Sequence, residues 1–150
     1  KLLRPGGITL EQLQQVIGHV DVDEAVLNKL CSNTIASSPG MKYKHYAPNT
    51  KVIMVNGSSK KFIQYVNKQA NDNILAICFD EEIKYITIQT ISYGSIHDQK
   101  QQAAKLFDTL RKTDSMQVNC VYAHAPIPSG IGLATYNRLI RSAGFEVVDL

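Results

Sequence analysis

Long apolar runs, paired cysteines and clusters of charge are all missing from this 150-residue chain. No run of apolar residues approaches the roughly 18 that a membrane-spanning helix requires, and no signal peptide is visible. The sequence therefore predicts no membrane-spanning helix, and we expect no membrane partner. The remaining composition, 44% hydrophobic and 19% charged residues, is that of an ordinary globular domain.

The three cysteines, Cys31, Cys78 and Cys120, are odd in number and widely spaced. The sequence has no CxxC pair and no Cys/His spacing of the kind that binds a metal ion. Cys78 and Cys120 lie in apolar runs, where a reduced thiol behaves as a small hydrophobic side chain. The pattern indicates a reducing compartment, so we expect a cytoplasmic protein with no protein-bound metal.

Positive charge is only slightly in excess, with a net charge of +3 and a pI of about 8.7. Lys and Arg are spread along the sequence, which suits an anionic ligand but lacks the clustered basic surface of a nucleic-acid binder. His19, His97 and His124 have no partners at metal-ligand spacing. We interpret these three histidines as surface or capping residues.

The first 36 residues carry the pattern of an incomplete domain. A strand-like start and a Pro-Gly turn precede Thr9, an N-cap candidate with Gln12 in capping-box register. Apolar residues then follow at helical spacing until Gly18, which is a helix stop. One strand end and one helix cannot bury a core, and the chain does not begin with Met. We therefore expect residues 1–36 to be the remnant of an upstream α/β domain.

Residues 37–49 fit neither a helix nor an ordinary loop. Pro39 and Pro48 bias their neighbours toward extended backbone. About twelve extended residues reach up to roughly 40 Å, which is enough to cross the face of a domain. This stretch therefore predicts an extended linker.

From residue 50 onward, the patterns of buried strands alternate with those of amphipathic helices. Such alternation predicts a small doubly wound α/β domain, Rossmann-like, with a mostly parallel sheet and helices on both faces. Ser95 with Asp98 forms a capping-box start for the middle helix. The predicted strands lie within 52–55, 74–79, 86–93, 118–123 and 145–148, and the helical stripes run through 62–70, 103–110 and 133–140.

Two glycine-containing turns resemble phosphate-binding motifs only in part. Residues 56–61 follow a strand but lack the first Gly of the P-loop spacing, which favours a solvated helix cap. Gly130-Ile131-Gly132 is half of a dinucleotide fingerprint, with Thr135 at the third small position and no acidic partner about 20 residues further on. Tight packing or a docking surface explains this turn better than a bound dinucleotide.

The stretch from Ser38 to Pro48 reads Ser-Pro-Gly-Met-Lys-Tyr-Lys-His-Tyr-Ala-Pro. It resembles the interdomain linker of the long-form L-threonylcarbamoyladenylate synthase family, in which a YrdC-like catalytic domain is joined to a Rossmann-like domain. Residues 2–9 resemble the last strand and turn of the catalytic domain, and residues 130–141 resemble the closing helix. The resemblance implies the end of the YrdC-like domain in 1–36, the linker in 37–49 and the C-terminal domain in 50–150.

For the full-length protein, the resemblance implies a nucleotidyltransferase of tRNA modification. The family condenses L-threonine, bicarbonate and ATP into threonylcarbamoyl-AMP and pyrophosphate, and partner proteins transfer the threonylcarbamoyl group to adenosine in tRNA. ATP is expected as a substrate, with Mg²⁺ held through its phosphates, and direct tRNA binding is not expected. The family's phosphate-holding motifs are absent here, so the catalytic residues stay unassigned and the fragment alone should be inactive.

The resemblance also assigns site residues in this chain. Arg4, His45 and Tyr46 are expected to bind ATP, because a planar cation suits phosphate and the aromatic rings offer stacking and hydrogen bonds. Closing the linker over the site would keep water from an unstable carbamate. The remaining predicted active-site linker residues are Ser38, Gly40, Lys42, Tyr43 and Lys44.

Other interpretations remain open from the sequence. The chain could be a non-catalytic Rossmann-like module that binds a nucleotide or a partner, with the linker as a tether whose aromatic residues pack between domains. Docking of RNA through the mildly basic surface is a further alternative, and it predicts steeply salt-dependent binding.

Overall fold

The computed structural model describes residues 1–28, 48–69 and 73–150. Within these ranges, four helices and five strands follow one another in the order predicted for an α/β domain. The helices are α1 (Leu10–Ile17), α2 (Ser59–Lys68), α3 (Gln99–Ser115) and α4 (Gly132–Ser142). The strands are β1 (Lys51–Asn56), β2 (Ile74–Cys78), β3 (Gln89–Ser92), β4 (Cys120–His124) and β5 (Val147–Asp149).

All five strands form one parallel sheet in the order β3-β2-β4-β1-β5. Parallel neighbours need crossover connections, and the chain provides them through helices on both faces of the sheet. The predicted doubly wound sheet is therefore confirmed, and every pairing in it is parallel.

Alternate residues along each strand pack on opposite faces, because side chains in a strand point alternately to either side. One face packs against α3 and α4 and includes Met54 and Leu106, while the other packs against α2 and includes Val55 and Phe62. All four of these side chains are fully buried. The central strands are covered on both faces, which explains their continuous apolar sequences.

Two local predictions differ from the structure. A 3₁₀ helix, Asp80–Tyr85, connects β2 to β3, whereas the sequence pattern predicts no helix there. The helix α3 begins a turn later than expected, because Asp98 caps it by accepting the Gln101 amide. Ser95 instead donates its hydroxyl to Glu81, which also accepts the Ile96 amide. A tertiary contact has therefore taken the residue that the local pattern assigned to a cap.

The N-terminal segment, residues 1–28, has the predicted capping box and helix stop. Thr9 accepts the Gln12 amide, Gln12 accepts the Thr9 amide in return, and Gly18 ends α1 with a φ of 77°. The expected strand is reduced to one parallel bridge between Leu2 and Val22. The domain boundaries at residues 36 and 49 fall among residues outside the described ranges or at their edge, and they stay predictions. Within the described ranges, no helix is long and apolar enough to cross a membrane.

We predict that Val66→Ala, at a fully buried position of α2, lowers the free energy of unfolding by about 1.5–3 kcal/mol, because two methyl groups leave a packed core. The matched control is Val16→Ala on α1, where the side chain is 83% exposed and the change should stay within about 0.5 kcal/mol. Urea denaturation of both variants measures the difference. Equal effects at the two positions would contradict the assigned core.

Candidate functional site

The structure locates one of the eight predicted site residues. Arg4 is exposed in the turn that follows Leu2. The other seven, Ser38, Gly40, Lys42, Tyr43, Lys44, His45 and Tyr46, lie outside the described residues. The geometry on which a site can be built is therefore that of the parts flanking this stretch.

The N-terminal segment is docked on α4. Its apolar residues form a cluster with Leu133, here called the docking cluster, whose buried members are Leu2, Val20, Val26 and Leu133. Around the cluster, α4 also reaches the backbone of a 3₁₀ turn, Glu24–Val26. Asn137 donates its side-chain amide to the Val26 carbonyl oxygen, and Arg141 donates to the Ala25 carbonyl oxygen at 2.6 Å.

A charged contact completes the docking at the start of α4. The Gly130 amide donates to the Glu11 carboxylate at 3.1 Å. The pKa of Glu11 lies below its ordinary value because its own amide, and next to it that of Gly130, donate to the carboxylate. Both interpretations of the Gly130–Gly132 turn are supported. The turn is tightly packed, because a side chain at Gly132 would clash with the Ile127 carbonyl oxygen, and the Gly130 amide contacts the docked segment.

Asn49 and Thr50, at the end of the predicted linker, are attached to α3. The Asp114 carboxylate on α3 accepts the Asn49 amide at 2.8 Å and the Thr50 amide at 3.3 Å. Because α3 and α4 pack together on one face of the sheet, both chain segments that border residues 29–47 are fastened to the same helical layer.

At the carboxyl edge of the sheet, His124 forms a buried pair with Glu82, and both side chains are only 2% exposed. The ring atom Nδ1 lies 2.7 Å from Glu82 Oε1, and Nε2 lies 2.9 Å from the Gly57 carbonyl oxygen. A carbonyl oxygen can only accept, so Nε2 carries a proton. The interpretation of His124 as a surface or capping residue is therefore wrong, because sequence spacing cannot show a partner 42 residues away.

Packing around His124 fills the crevice between β1 and β4, where the outgoing connections turn to opposite faces. Doubly wound sheets bind their ligands at such a point. Here the Phe62 ring stacks on the His124 ring with centroids 4.4 Å apart, and Phe79 packs at 4.9 Å. These contacts leave His124 only 2% exposed at this point of the sheet.

Metal-binding groups are not assembled in the described part of the chain, where no three His, Cys, Asp or Glu side chains come together. Burial raises the pKa of the Cys78 thiol to about 12, so this thiol stays protonated and packs as an apolar group. The described residues offer no ligand set that would hold Mg²⁺ by protein groups alone.

Comparison with known proteins adds the family. Residues 8–144 match the family model described as the C-terminal domain of threonylcarbamoyl-AMP synthase. The chain is 36% identical over 156 residues to threonylcarbamoyl-AMP synthase of Pyrococcus abyssi, covering 99% of this chain and 44% of that protein. It is 34% identical over 150 residues to the Bacillus subtilis enzyme of the same name, covering 98% and 42%.

Solved structures agree with these matches. The chain superposes on P. abyssi Sua5 in complex with L-threonine with a TM-score of 0.78 at 30% identity, covering 99% of this chain and 43% of that one. A variant of P. abyssi Sua5, with His-to-Ala and Tyr-to-Ala substitutions at adjacent positions, gives a TM-score of 0.72 at 29% identity. That match covers 99% of this chain and 42% of the variant.

Fold and docking define an all-parallel, Rossmann-like α/β domain that carries a second chain segment on one helix. The chain belongs to the family of threonylcarbamoyl-AMP synthase C-terminal domains. It spans less than half the length of the curated relatives described above.

We predict that His124→Gln lowers the free energy of unfolding by about 3 kcal/mol or more, because Glu82 stays buried without its partner. Combining it with Glu82→Gln should give a double-mutant coupling of about 1–3 kcal/mol. The exposed pair His19–Asp21, at 83% and 70% side-chain exposure, is the control, and His19→Gln with Asp21→Asn should show no resolvable coupling. Denaturant titration measures both cycles, and equal coupling in both would contradict the buried pair.

We predict that Asn137→Ala loosens the N-terminal segment without unfolding the sheet. The buried Val26 carbonyl oxygen loses its donor, so amide exchange at Asp23 should accelerate about 10-fold, while the amides of β4 keep their protection. Hydrogen exchange followed by NMR measures this.

Asn67→Ala is the control for Asn137→Ala, because it removes a similar bond to the Tyr85 carbonyl oxygen, together with two bonds from Thr87, on the other face of the sheet. Exchange at Asp23 should not respond to the control. An Asp23 amide that exchanges equally fast in both variants would show that Asn137 does not hold the segment.

Proposed function

We propose that this chain is the C-terminal portion of an enzyme that makes threonylcarbamoyl-AMP from L-threonine, bicarbonate and ATP. In this reaction, the threonine nitrogen forms a carbamate with CO₂ derived from bicarbonate. A carbamate oxygen then attacks the α-phosphorus of ATP, and the bond to pyrophosphate breaks. The product serves proteins that transfer the threonylcarbamoyl group to tRNA, in the cytoplasm, and Mg²⁺ accompanies the nucleotide through its phosphates.

The family match over residues 8–144 is the observation that carries this proposal. Relatives named for the activity extend well beyond the matched portion, since the chain covers 44% and 42% of their lengths. The catalytic core therefore belongs to the remainder of the protein, and the fragment alone should not form the product.

Residues 37–49 act in this proposal as a cover over the active site, with Arg4, His45 and Tyr46 binding ATP. The attachment of Ala25 and Val26 to α4, and of Asn49 to Asp114, fixes the chain on either side of residues 29–47 and so supports this proposal. The adjacent His and Tyr substitutions in the solved P. abyssi variant lend support, because His45-Tyr46 is the one His-Tyr pair in this sequence.

Excluding water is the physical reason for a cover in this reaction. A carbamate breaks down readily in water, and a closed site also strengthens the attraction between cations and phosphate. Lys42 and Lys44 supply charge for the triphosphate or the departing pyrophosphate, while the aromatic rings bind with little loss of conformational freedom.

The alternative, a free-standing nucleotide-binding module, is less well supported. At the carboxyl edge of the sheet, where such a module would bind its nucleotide, His124 is buried against Glu82 and Phe62. The docked N-terminal segment instead favours an accessory domain that supports a neighbouring part of the same protein.

We predict that Tyr46→Ala or His45→Ala in the full-length protein lowers threonine-dependent pyrophosphate release by about 10-fold or more, since each removes contacts that exist only in the closed site. Tyr85→Ala is the control, because Tyr85 is 55% exposed on the 3₁₀ helix after β2. A coupled assay for pyrophosphate, with and without threonine, measures the rates.

Unchanged rates in both linker variants would reduce residues 37–49 to a tether. A full-length protein that binds ATP but releases no threonine-dependent pyrophosphate would overturn the proposed reaction itself.

A further inference from the structure

Arg4 is an exposed side chain on a stretch of backbone that is buried on either side of it. Leu2 is 8% exposed in the docking cluster, and Pro5, which follows Arg4, is also buried. A residue that precedes proline is itself restricted in its backbone conformation. These neighbours fix the point at which the Arg4 side chain leaves the surface, while its guanidinium group remains accessible to a ligand.

A continuous series of contacts links Leu2 to the turn that α4 holds. The Leu2 amide donates to the Asp21 carbonyl oxygen at 2.6 Å, and the Asp23 amide donates to the Leu2 carbonyl oxygen at 2.9 Å. The Asp23 carboxylate accepts the Ala25 amide at 3.0 Å and the Lys1 ammonium group at 2.9 Å. The residues just before Arg4 are therefore tied to the 3₁₀ turn whose carbonyl groups α4 binds.

Asn137 and Arg141 hold that turn from α4, through their bonds to the carbonyl oxygens of Val26 and Ala25. With Leu133, they are spaced four residues apart and so lie on one face of the helix. Ala25 and Val26 are both 0% exposed, so loss of either donor leaves a buried carbonyl oxygen unpaired. The face of α4 that holds the turn is thus connected, contact by contact, to the backbone that carries Arg4.

We propose that Asn137 and Arg141 are positioning residues for the binding of ATP and act through Arg4. The inference rests on the proposed function, in which Arg4 contacts ATP, and it gives the C-terminal domain a part in substrate binding. A guanidinium group binds phosphate through two parallel hydrogen bonds, so its contribution falls when the group is displaced. Holding the backbone of Arg4 in one place also lessens the conformational freedom that is lost on binding.

The same coupling operates in the opposite direction. If docking of residues 1–28 strengthens ATP binding, then bound ATP strengthens the docking by the same factor. The Asp23 amide reports on this contact because it donates to Leu2. Its hydrogen exchange in the full-length protein should slow about fivefold when ATP saturates the site, and it should not slow in Arg4→Gln.

Calorimetric titration of the full-length protein with ATP, without threonine, tests the proposal in a double-mutant cycle. Asn137→Ala should weaken ATP binding about fivefold or more when Arg4 is present. Arg4→Gln should weaken it about 10-fold or more, as expected for a lost charge-assisted hydrogen bond. The double variant should bind ATP no more than about twofold more weakly than Arg4→Gln alone, because Asn137 acts only through Arg4.

Arg141→Met is the second variant, and it decides the matter if Asn137→Ala does not fold, as judged by its melting curve. It keeps an unbranched side chain beside the Phe145 ring but removes the donor to Ala25, so the same pattern of losses is expected. Asn67→Ala is the control, because its bonds to Tyr85 and Thr87 lie on the other face of the sheet. It should change ATP affinity by less than about twofold.

An unchanged ATP affinity in Asn137→Ala and Arg141→Met would overturn the proposal. An equal loss from Asn137→Ala with and without Arg4 would also overturn it, because the loss would then arise elsewhere. Since ATP binding is measured without turnover, a protein that shows the coupling but forms no threonylcarbamoyl-AMP would refute the proposed function and leave the positioning role standing.

Discussion

The docking of residues 1–28 on α4 is the contact on which the other features of this structure depend. Apolar side chains of the docking cluster supply the area, while Asn137 and Arg141 satisfy backbone carbonyl oxygens that would otherwise be buried without a donor. Unpaired carbonyl groups of this kind are costly, so the seat favours one register of the segment. Through it, the position of Arg4 is defined relative to the Rossmann-like sheet.

The helices and strands were largely predictable because they depend on local periodicity in the sequence. The capping box at Thr9, the buried apolar strands and the helical stripes all depend on residues within a few positions of one another. Errors arose where a distant partner competed with a local signal. Ser95 was expected to cap a helix, but it bonds to Glu81, and Asp98 takes the cap instead. The 3₁₀ connection after β2 had no periodic signature at all, because its polar residues are placed by contacts with the sheet edge.

The candidate site was predictable only in part, and the reason is again distance along the chain. The resemblance indicates Arg4 and the linker residues from Ser38 to Tyr46, but only the structure shows that the segment carrying Arg4 docks on α4. The predicted surface or capping role of His124 is wrong for the same reason, because its partners Glu82 and Gly57 lie far from it in sequence. A polar residue at the end of a buried strand, followed by Ala and Pro, was the one available hint.

His124, the last residue of β4, pairs with Glu82 after β2 and with Gly57 after β1. These contacts join three neighbouring strands at the carboxyl edge of the sheet. In many doubly wound proteins, the loops at that edge open and close around a ligand. Contacts between the three strands make this edge of the sheet rigid. Any opening and closing in the complete protein is then expected at the contact between residues 1–28 and α4 rather than within the sheet. The domain therefore provides a rigid support in place of a ligand cleft that opens and closes.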